Sequence, residues 1–344
     1  MVFSEILINW YEQNKRDLPW RKTTNPYHIW LSEIILQQTR VNQGLTYYNK
    51  FVNTFPDIKD LATADEEKIL KLWQGLGYYS RARNLHFSAK YITNELNGKF
   101  PNTYKDLLKL KGVGDYTASA IASISYNKPC AVVDGNVYRV LARYFGIKTA
   151  INSPEGIKYF KKLATQLLDI NNPATFNQAI MEFGAIQCKP KNPDCNTCPL
   201  QNSCKAFSNK TIDKLPVKHK KLTIKNRFFN YLVIINANNN IIINQRTGKG
   251  IWENLYEFPL IETHQEIDIN ELILMDEFQQ IITEKSEISL FNHKPITHKL
   301  SHQHLSVKFW IITTKKKYKN SISLDRLKKY PVPTLINNFI EVYF

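Results

Sequence analysis

Long apolar runs are missing from this chain. Stretches such as Tyr231-Leu-Val-Ile-Ile235 fall far short of the ~20 residues a membrane helix needs. Glycine and proline are scarce, 12 and 15 of 344 residues, which excludes a fibrous or low-complexity protein. The N-terminus has no basic run before its first apolar residues and carries Glu5, so no signal peptide is expected. A cytoplasmic, reducing location follows as an expectation, with no membrane attachment. Acidic residues are also few: 30 Asp and Glu stand against 46 Lys and Arg, a net charge of +16. The excess is spread over both halves of the chain. Folded domains with such a surplus suit a polyanion, with nucleic acid first. At 43% hydrophobic and 22% charged the composition is that of a globular protein, and the length fits two domains.

The texture divides the chain. Residues 4 to about 187 read as successive helices. Pro26 occupies a first-turn position before Tyr27, and Ser153-Pro154 is a capped helix start after which Tyr159, Leu163 and Leu167 keep a helical period. Residues 208–227 are polar and basic, with Lys218-His-Lys-Lys221, and read as a linker suited to phosphate. Beyond it, Phe228 to Ala237, Ile241 to Gln245 and His304 to Thr314 are strand-like, and Asn238-Asn-Asn240 is a turn. The expectation is a multidomain chain: an all-α domain over 1–207, a linker over 208–227, and a smaller α/β domain over 228–344.

Four of the five cysteines, Cys188, Cys195, Cys198 and Cys204, fall within one short loop spaced C-x6-C-x2-C-x5-C. Without a secretory signal, a metal site is favoured over disulfides. Four thiolates at this spacing suit one tetrahedral metal ion or one iron–sulfur cluster, and spacing alone does not separate the two. The turn Leu110-Lys-Gly-Val-Gly114 sits between helical segments, with Gly112, Val113 and Gly114 able to bring backbone N–H groups against a phosphate.

Several stretches then occur together and in order. They are Leu18-Pro-Trp-Arg21, Trp30-Leu-Ser-Glu-Ile-Ile-Leu-Gln-Gln-Thr-Arg-Val41, Leu72-Trp-Gln-Gly-Leu-Gly-Tyr-Tyr-Ser-Arg-Ala-Arg-Asn84, Gly112-Val-Gly-Asp-Tyr-Thr-Ala118, Val133-Asp-Gly-Asn-Val-Tyr-Arg-Val140, Phe176-Asn-Gln-Ala179 and the cysteine loop. With these the chain resembles the adenine DNA glycosylases of the MutY type, within the endonuclease III-like helix-hairpin-helix superfamily. The C-terminal part matches more loosely, through Trp252 to Pro259 and Thr297-His-Lys-Leu-Ser-His302.

The resemblance implies a helix-hairpin-helix glycosylase domain with a [4Fe–4S] loop at 188–204, then a Nudix-like domain. No G-x5-E-x7-R-E run follows Pro259, so pyrophosphohydrolase chemistry is not expected. It implies a monomer that takes duplex DNA carrying adenine opposite 8-oxoguanine or guanine and hydrolyses the N-glycosidic bond of the flipped adenine. Glu33 would be the general acid, since an apolar helix stretch raises a carboxyl pKa. Asp134 would stabilise the oxocarbenium-like sugar, and the same residue reads as a helix N-cap before Val137. Tyr116 and Asn136 would position it and the water. Bifunctional relatives carry lysine where Tyr116 stands, so a monofunctional enzyme is expected. Gln178, Trp20 and Arg21 would line the adenine pocket. Leu36, Gln38, Thr39 and Tyr78 would contact DNA, with Leu36, Gln38 and Tyr78 as the wedge, although Leu36 and Tyr78 read alone look like core. Ser301 and His302 would read 8-oxoguanine; Leu300 stands where the family usually has phenylalanine, and Lys111 where it often has proline. A three-histidine metal site with His298 and His304 is disfavoured because no carboxylate or cysteine joins it. An endonuclease III-type lyase, an inactive DNA-binding scaffold and a Nudix hydrolase are the rival readings.

Overall fold

The computed structural model describes residues 2–219, 224–316, 318 and 320–344. These form two compact units. One joins Met1–Ala64 to Arg83–Lys220; the other joins Asp65–Ala82 to Lys221–Phe344. The sequential division expected at 207 and 228 therefore gives way to an interleaved one. The reason is polar pairing. Within the second unit Lys71 Nζ donates to the Tyr330 carbonyl (3.0 Å), Gln74 Nε2 to Asn337 Oδ1 (2.7 Å), and Asn254 Nδ2 to Glu66 Oε1 (2.6 Å). The expected linker also divides. Its first part is strapped to the helical unit, with Ile151 N–H donating to the Val217 carbonyl and Leu215 buried. A strand begins at Lys225, before the expected Phe228. Lys220 and Lys221 of the basic run lie outside the described residues.

The helical unit starts its helices where the caps say. Asn25 Oδ1 accepts from Tyr27 N–H (2.9 Å) with Pro26 at the first helical position. Ser153 Oγ accepts from Gly156 N–H (3.0 Å) with Pro154 next. Each cap satisfies a donor that the first turn leaves free. In the Pro154–Leu167 helix the buried face is Gly156, Phe160 and Ala164, while Tyr159 is exposed. The helix expected there is present; of the period Tyr159, Leu163 and Leu167, the first is exposed and the other two half-buried beside that face. The helix Pro26–Leu36 is buried nearly all round, from Tyr27 to Ile35, and packs on the helix Asp115–Tyr126. A helix apolar on every side belongs in a core. Any ionisable group on it is desolvated, and Glu33 is such a group.

In the second unit the strand Lys225–Asn236 runs parallel to Gln303–Thr314 along their whole lengths. Leu260–Thr263 and Ile241–Ile242 pair antiparallel with the first; Glu287–Leu290 and Ile296–Lys299 pair antiparallel with the second. One sheet face carries a core of Leu232, Ile234, Ile261, Trp310 and Ile312, onto which Leu272 and Phe278 pack. Tyr231, Phe309, Phe339 and Tyr343 stack in a column, ring on ring. Among the described residues no helix is long and apolar enough to cross a membrane.

Candidate functional site

Ten of the expected site residues line one cavity of about 560 Å3: Glu33, Asp134, Tyr116, Asn136, Gln178, Trp20, Arg21, Leu36, Gln38 and Thr39. They come from four α-helices or their caps, the short 3-10 helix Pro19–Arg21 and the turn after Leu36, and span more than a hundred residues of sequence. Glu33 is 8% exposed. Burial, assisted by the nearby Asp134 charge and opposed by a hydrogen bond with Tyr116, pushes its carboxyl up to about 7. That places the proton of Glu33 in the range where a general acid operates at neutral pH. Burial also raises the Tyr116 hydroxyl well above its ordinary range, so it stays a neutral donor; its oxygen lies 3.2 Å from the Met181 sulfur.

Asp134 is both the helix cap and a cavity residue. Its Oδ1 accepts from the N–H groups of Asn136 (2.9 Å) and Val137 (2.8 Å), and its Oδ2 accepts from Asn136 Nδ2 (2.7 Å). Burial raises the Asp134 pKa, while these donors and Arg139 oppose the rise. The cap therefore fixes the carboxylate in one orientation at the cavity wall.

Four supporting residues escaped the sequence reading. Arg139 Nη2 donates to Asn136 Oδ1 (2.8 Å) and the Gly184 carbonyl (2.6 Å), and its Nε donates to the Cys188 carbonyl (2.8 Å). Gly184 lies in a π-turn, Phe183–Gln187, and a Cβ there would come 2.6 Å from Asn136 Cβ. A side chain at 184 would push Asn136 off Asp134. Asn177 fastens the approach to Asp134: its Oδ1 accepts from Val132 N–H (3.1 Å) and its Nδ2 donates to the Cys130 carbonyl (2.8 Å). Glu182 takes bidentate pairs from Arg16 and Arg21, with N–O distances of 2.6–2.9 Å. Burial alone would push its carboxyl up, but the Arg16 and Arg21 hydrogen bonds outweigh it and hold it at about 2. Arg21 thus serves as a braced wall whose charge is already matched. No local pattern reveals these four. Each meets a partner distant in sequence or backbone that only the fold supplies.

The remaining expected residues lie elsewhere. In the hairpin turn, Gly112 adopts a left-handed φ of 83° and a Cβ would meet Asn84 at 2.8 Å, so glycine is required there. Gly114 has open space at its Cβ position, which leaves the N-terminus of Asp115–Tyr126 approachable from outside. Lys111 is turned away, with Nζ 4.5 Å from the Phe87 ring centroid. Gln38 and Tyr78 adopt left-handed φ values of 55° and 47°, and Tyr78 is 50% exposed. Strained and exposed backbone of this kind argues against the core reading of Tyr78.

In the second unit Ser301 and His302 form the tip of a two-residue hairpin turn, closed by Leu300 N–H donating to the Gln303 carbonyl (2.9 Å). Tyr78 belongs to the same unit, and its hydroxyl hydrogen-bonds to Ser301 Oγ. His298 packs on Trp252, with ring centroids 5.7 Å apart.

The four loop cysteines line a separate small cavity of about 30 Å3, walled by Val140, Tyr144, Phe183, Leu200 and Phe207. Arg143 is 2% exposed and threads the loop: it donates to Cys188 Sγ (3.4 Å) and to the carbonyls of Lys189, Pro190 and Leu215. Among the described residues no group of three or more His, Cys, Asp or Glu is arranged to hold a metal ion. Burial, with the neighbouring thiols adding to it, raises the Cys195 thiol. Four sulfurs around one apolar cavity are a donor set suited to a thiolate-bound metal group, whose excess negative charge the buried Arg143 beside them would offset.

The model of the HhH-GPD superfamily base excision DNA repair proteins matches residues 31–166, and that of the NUDIX domain matches residues 230–342. An adenine DNA glycosylase of Buchnera aphidicola subsp. Baizongia pistaciae is 38% identical over 321 residues, covering 92% of this chain and 87% of that protein. The adenine DNA glycosylase of Homo sapiens is 44% identical over 214 residues, covering 60% of this chain and 39% of that one. Among solved structures, a thermostable thymine-DNA glycosylase aligns with a TM-score of 0.56 at 31% identity, covering 60% of this chain and 95% of that one. A non-covalent endonuclease III–DNA complex aligns at 0.53 and 20% identity, a likeness of fold, over 60% of this chain and 94% of that one.

Proposed function

The chain belongs to the adenine DNA glycosylases, DNA glycosylases of base excision repair, and from that premise we propose that the 560 Å3 cavity receives an adenine flipped from opposite 8-oxoguanine or guanine. The observation that carries the reading is the pairing, in one cavity, of a carboxyl held near neutrality, Glu33, with a capped carboxylate, Asp134. Glu33 gives its proton to a ring nitrogen of the base. The bond from the sugar to the base breaks, and the electron pair leaves with the neutral adenine. Asp134 stands against the positive charge that develops on the sugar; water adds there and gives its proton to the Glu33 carboxylate, which restores the acid. Two carboxylates sharing a glycosidic cleavage in this way parallel glycoside hydrolysis by analogy. Tyr116 and Asn136 hold the pair in place.

No lysine lines the cavity among the described residues, and a Schiff-base lyase needs one. Base release without strand cleavage follows. Leu36, Gln38 and Thr39 at the cavity, Tyr78, and the Gly112-Val-Gly114 turn are proposed to meet the DNA. Ser301 and His302 are proposed to read the lesion. The net charge of +16 supports duplex binding, the protein is proposed to act as a monomer, and the intracellular, cytoplasmic reading accords with five free thiols. The test is single-turnover incubation with duplexes carrying adenine opposite 8-oxoguanine. Free adenine with an uncut strand is expected; strand cleavage without added base or heat would count against the reading.

The cysteine cavity is proposed to hold a [4Fe–4S] cluster through Cys188, Cys195, Cys198 and Cys204. Such a cluster would tie the loop to Arg139 and Arg143, and so brace the backbone that Asn136 and Asp134 depend on. Purified protein is expected to be yellow-brown, with iron and sulfide near four each per chain, as a cubane on four thiolates requires. Stoichiometric zinc in protein prepared anaerobically from iron-replete cells would contradict it.

A further inference from the structure

The helix Phe3–Asn14 packs on the helix Pro173–Glu182 and brings Tyr11 under the cavity wall. Tyr11 is 3% exposed, and its hydroxyl donates to Gln178 Oε1 at 2.6 Å. Burial raises the Tyr11 pKa, so the donor keeps its proton across the working range. The Arg21 guanidinium lies 5.5 Å from the Tyr11 ring centroid and is itself held by Glu182. A glutamine amide has two ends of opposite hydrogen-bonding sense and can ordinarily present either. Here one end is engaged from behind. With Oε1 turned to the phenol, the NH2 group is the end left for the cavity that Gln178 lines.

We propose that Tyr11 is a positioning residue for base selection: by holding Gln178 Oε1, it fixes the amide NH2 toward the bound base and makes N1 of adenine the atom read. The proposal rests on the assignment of Gln178 to the adenine edge. The polarity of the fixed end calls for an acceptor on the base, and of adenine's ring acceptors N1 is the one that guanine and hypoxanthine lack. An NH2 aimed at N7 would gain nothing in selectivity, because adenine and guanine both present an acceptor there. At N1 adenine offers an acceptor, whereas hypoxanthine and guanine carry a hydrogen, which would meet the NH2 head on. A freed amide would rotate and satisfy either pattern, so losing Tyr11's hydroxyl should cost selectivity more than fold.

The experiment compares the full-length wild type, Tyr11→Phe, Gln178→Ala and the double variant. Single-turnover release is measured from duplexes carrying adenine or hypoxanthine opposite 8-oxoguanine, at one salt concentration, with thermal melting alongside. Tyr11→Phe is expected to melt with the wild type and to slow adenine release about three- to tenfold, the worth of one neutral hydrogen bond. The adenine-to-hypoxanthine rate ratio should narrow with it. In the Gln178→Ala background the same change should alter neither rate nor ratio, because Tyr11 acts through that amide alone. An equal slowing of both bases by Tyr11→Phe, or a full additional slowing in the double variant, would show a packing role and overturn the proposal. If Gln178→Ala alone leaves rate and ratio at wild-type values, Gln178 does not read the base, and the pocket assignment falls together with the role of Tyr11.

Discussion

Glu33→Gln is expected to bind the mispaired duplex, to lose about 10²–10⁴ in the single-turnover rate of base release, and to be more stable than the wild type above pH 7. The first two effects follow from chemistry: the amide keeps the shape of the carboxyl and lacks the proton that the leaving base needs. The third follows from linkage. Burial raises the carboxyl from 4.5 to about 7, so the folded state retains a proton that the unfolded chain gives up. A raised acid of this kind weakens the fold as pH climbs from the ordinary value through the raised one, and leaves it unaffected below both. The interval corresponds to about 3 kcal/mol at 1.36 kcal/mol per unit. Glutamine never ionises and escapes that cost. Denaturant unfolding at pH 4 and pH 8 should therefore show the variant's advantage at pH 8 alone, of up to about 3 kcal/mol. The wild-type rate should fall as pH rises through about 7, as the acid is lost. Retention of most of the rate by Glu33→Gln would remove the residue from catalysis. An equal stability difference at both pH values would show that Glu33 is not desolvated in the folded chain.

The proposed catalytic groups were legible because each leaves a local mark. Glu33 interrupts the apolar run Ile29–Ile35, and Asp134-Gly-Asn136 has the form of a cap. Local marks fix local geometry, and both residues stand where those marks put them. What supports them was not legible. Arg139 looks like a surface arginine on a helix until the fold brings the Cys188 carbonyl to it, and Glu182 meets Arg16 across 166 residues. The buried face of Pro154–Leu167 was not legible for a related reason. In Pro154–Leu167 the adjacent apolar pair Tyr159 and Phe160 offers two registers, and only packing picks the second. Composition likewise drew the domain boundary by chain order. Asp65–Ala82 is helical in pattern and so reads with its neighbours, yet its polar partners Asn254, Tyr330 and Asn337 lie in the C-terminal segment.

That interleaving bears on lesion reading, because it places Tyr78, from the early part of the chain, in the same unit as Ser301 and joins their hydroxyls. The double change Ser301→Ala, His302→Ala is expected to cut the preference for adenine opposite 8-oxoguanine over adenine opposite guanine by about ten- to a hundredfold. Each lost base contact is worth roughly 1–3 kcal/mol. The two side chains sit on an exposed turn whose closure uses backbone groups, Leu300 N–H and the Gln303 carbonyl, so alanine leaves the hairpin intact. Neither residue lines the cavity that holds Glu33 and Asp134, so release opposite guanine should change little. The comparison needs one fixed salt concentration, since a chain of charge +16 binds phosphate in a strongly salt-dependent way. Tyr78→Phe separates the two parts of the reader. It keeps the ring and frees Ser301 Oγ, so it should lower the preference by less than the double change. Slowing of both substrates by one common factor in the Ser301, His302 variant would assign the turn to duplex binding in general and remove it from lesion recognition.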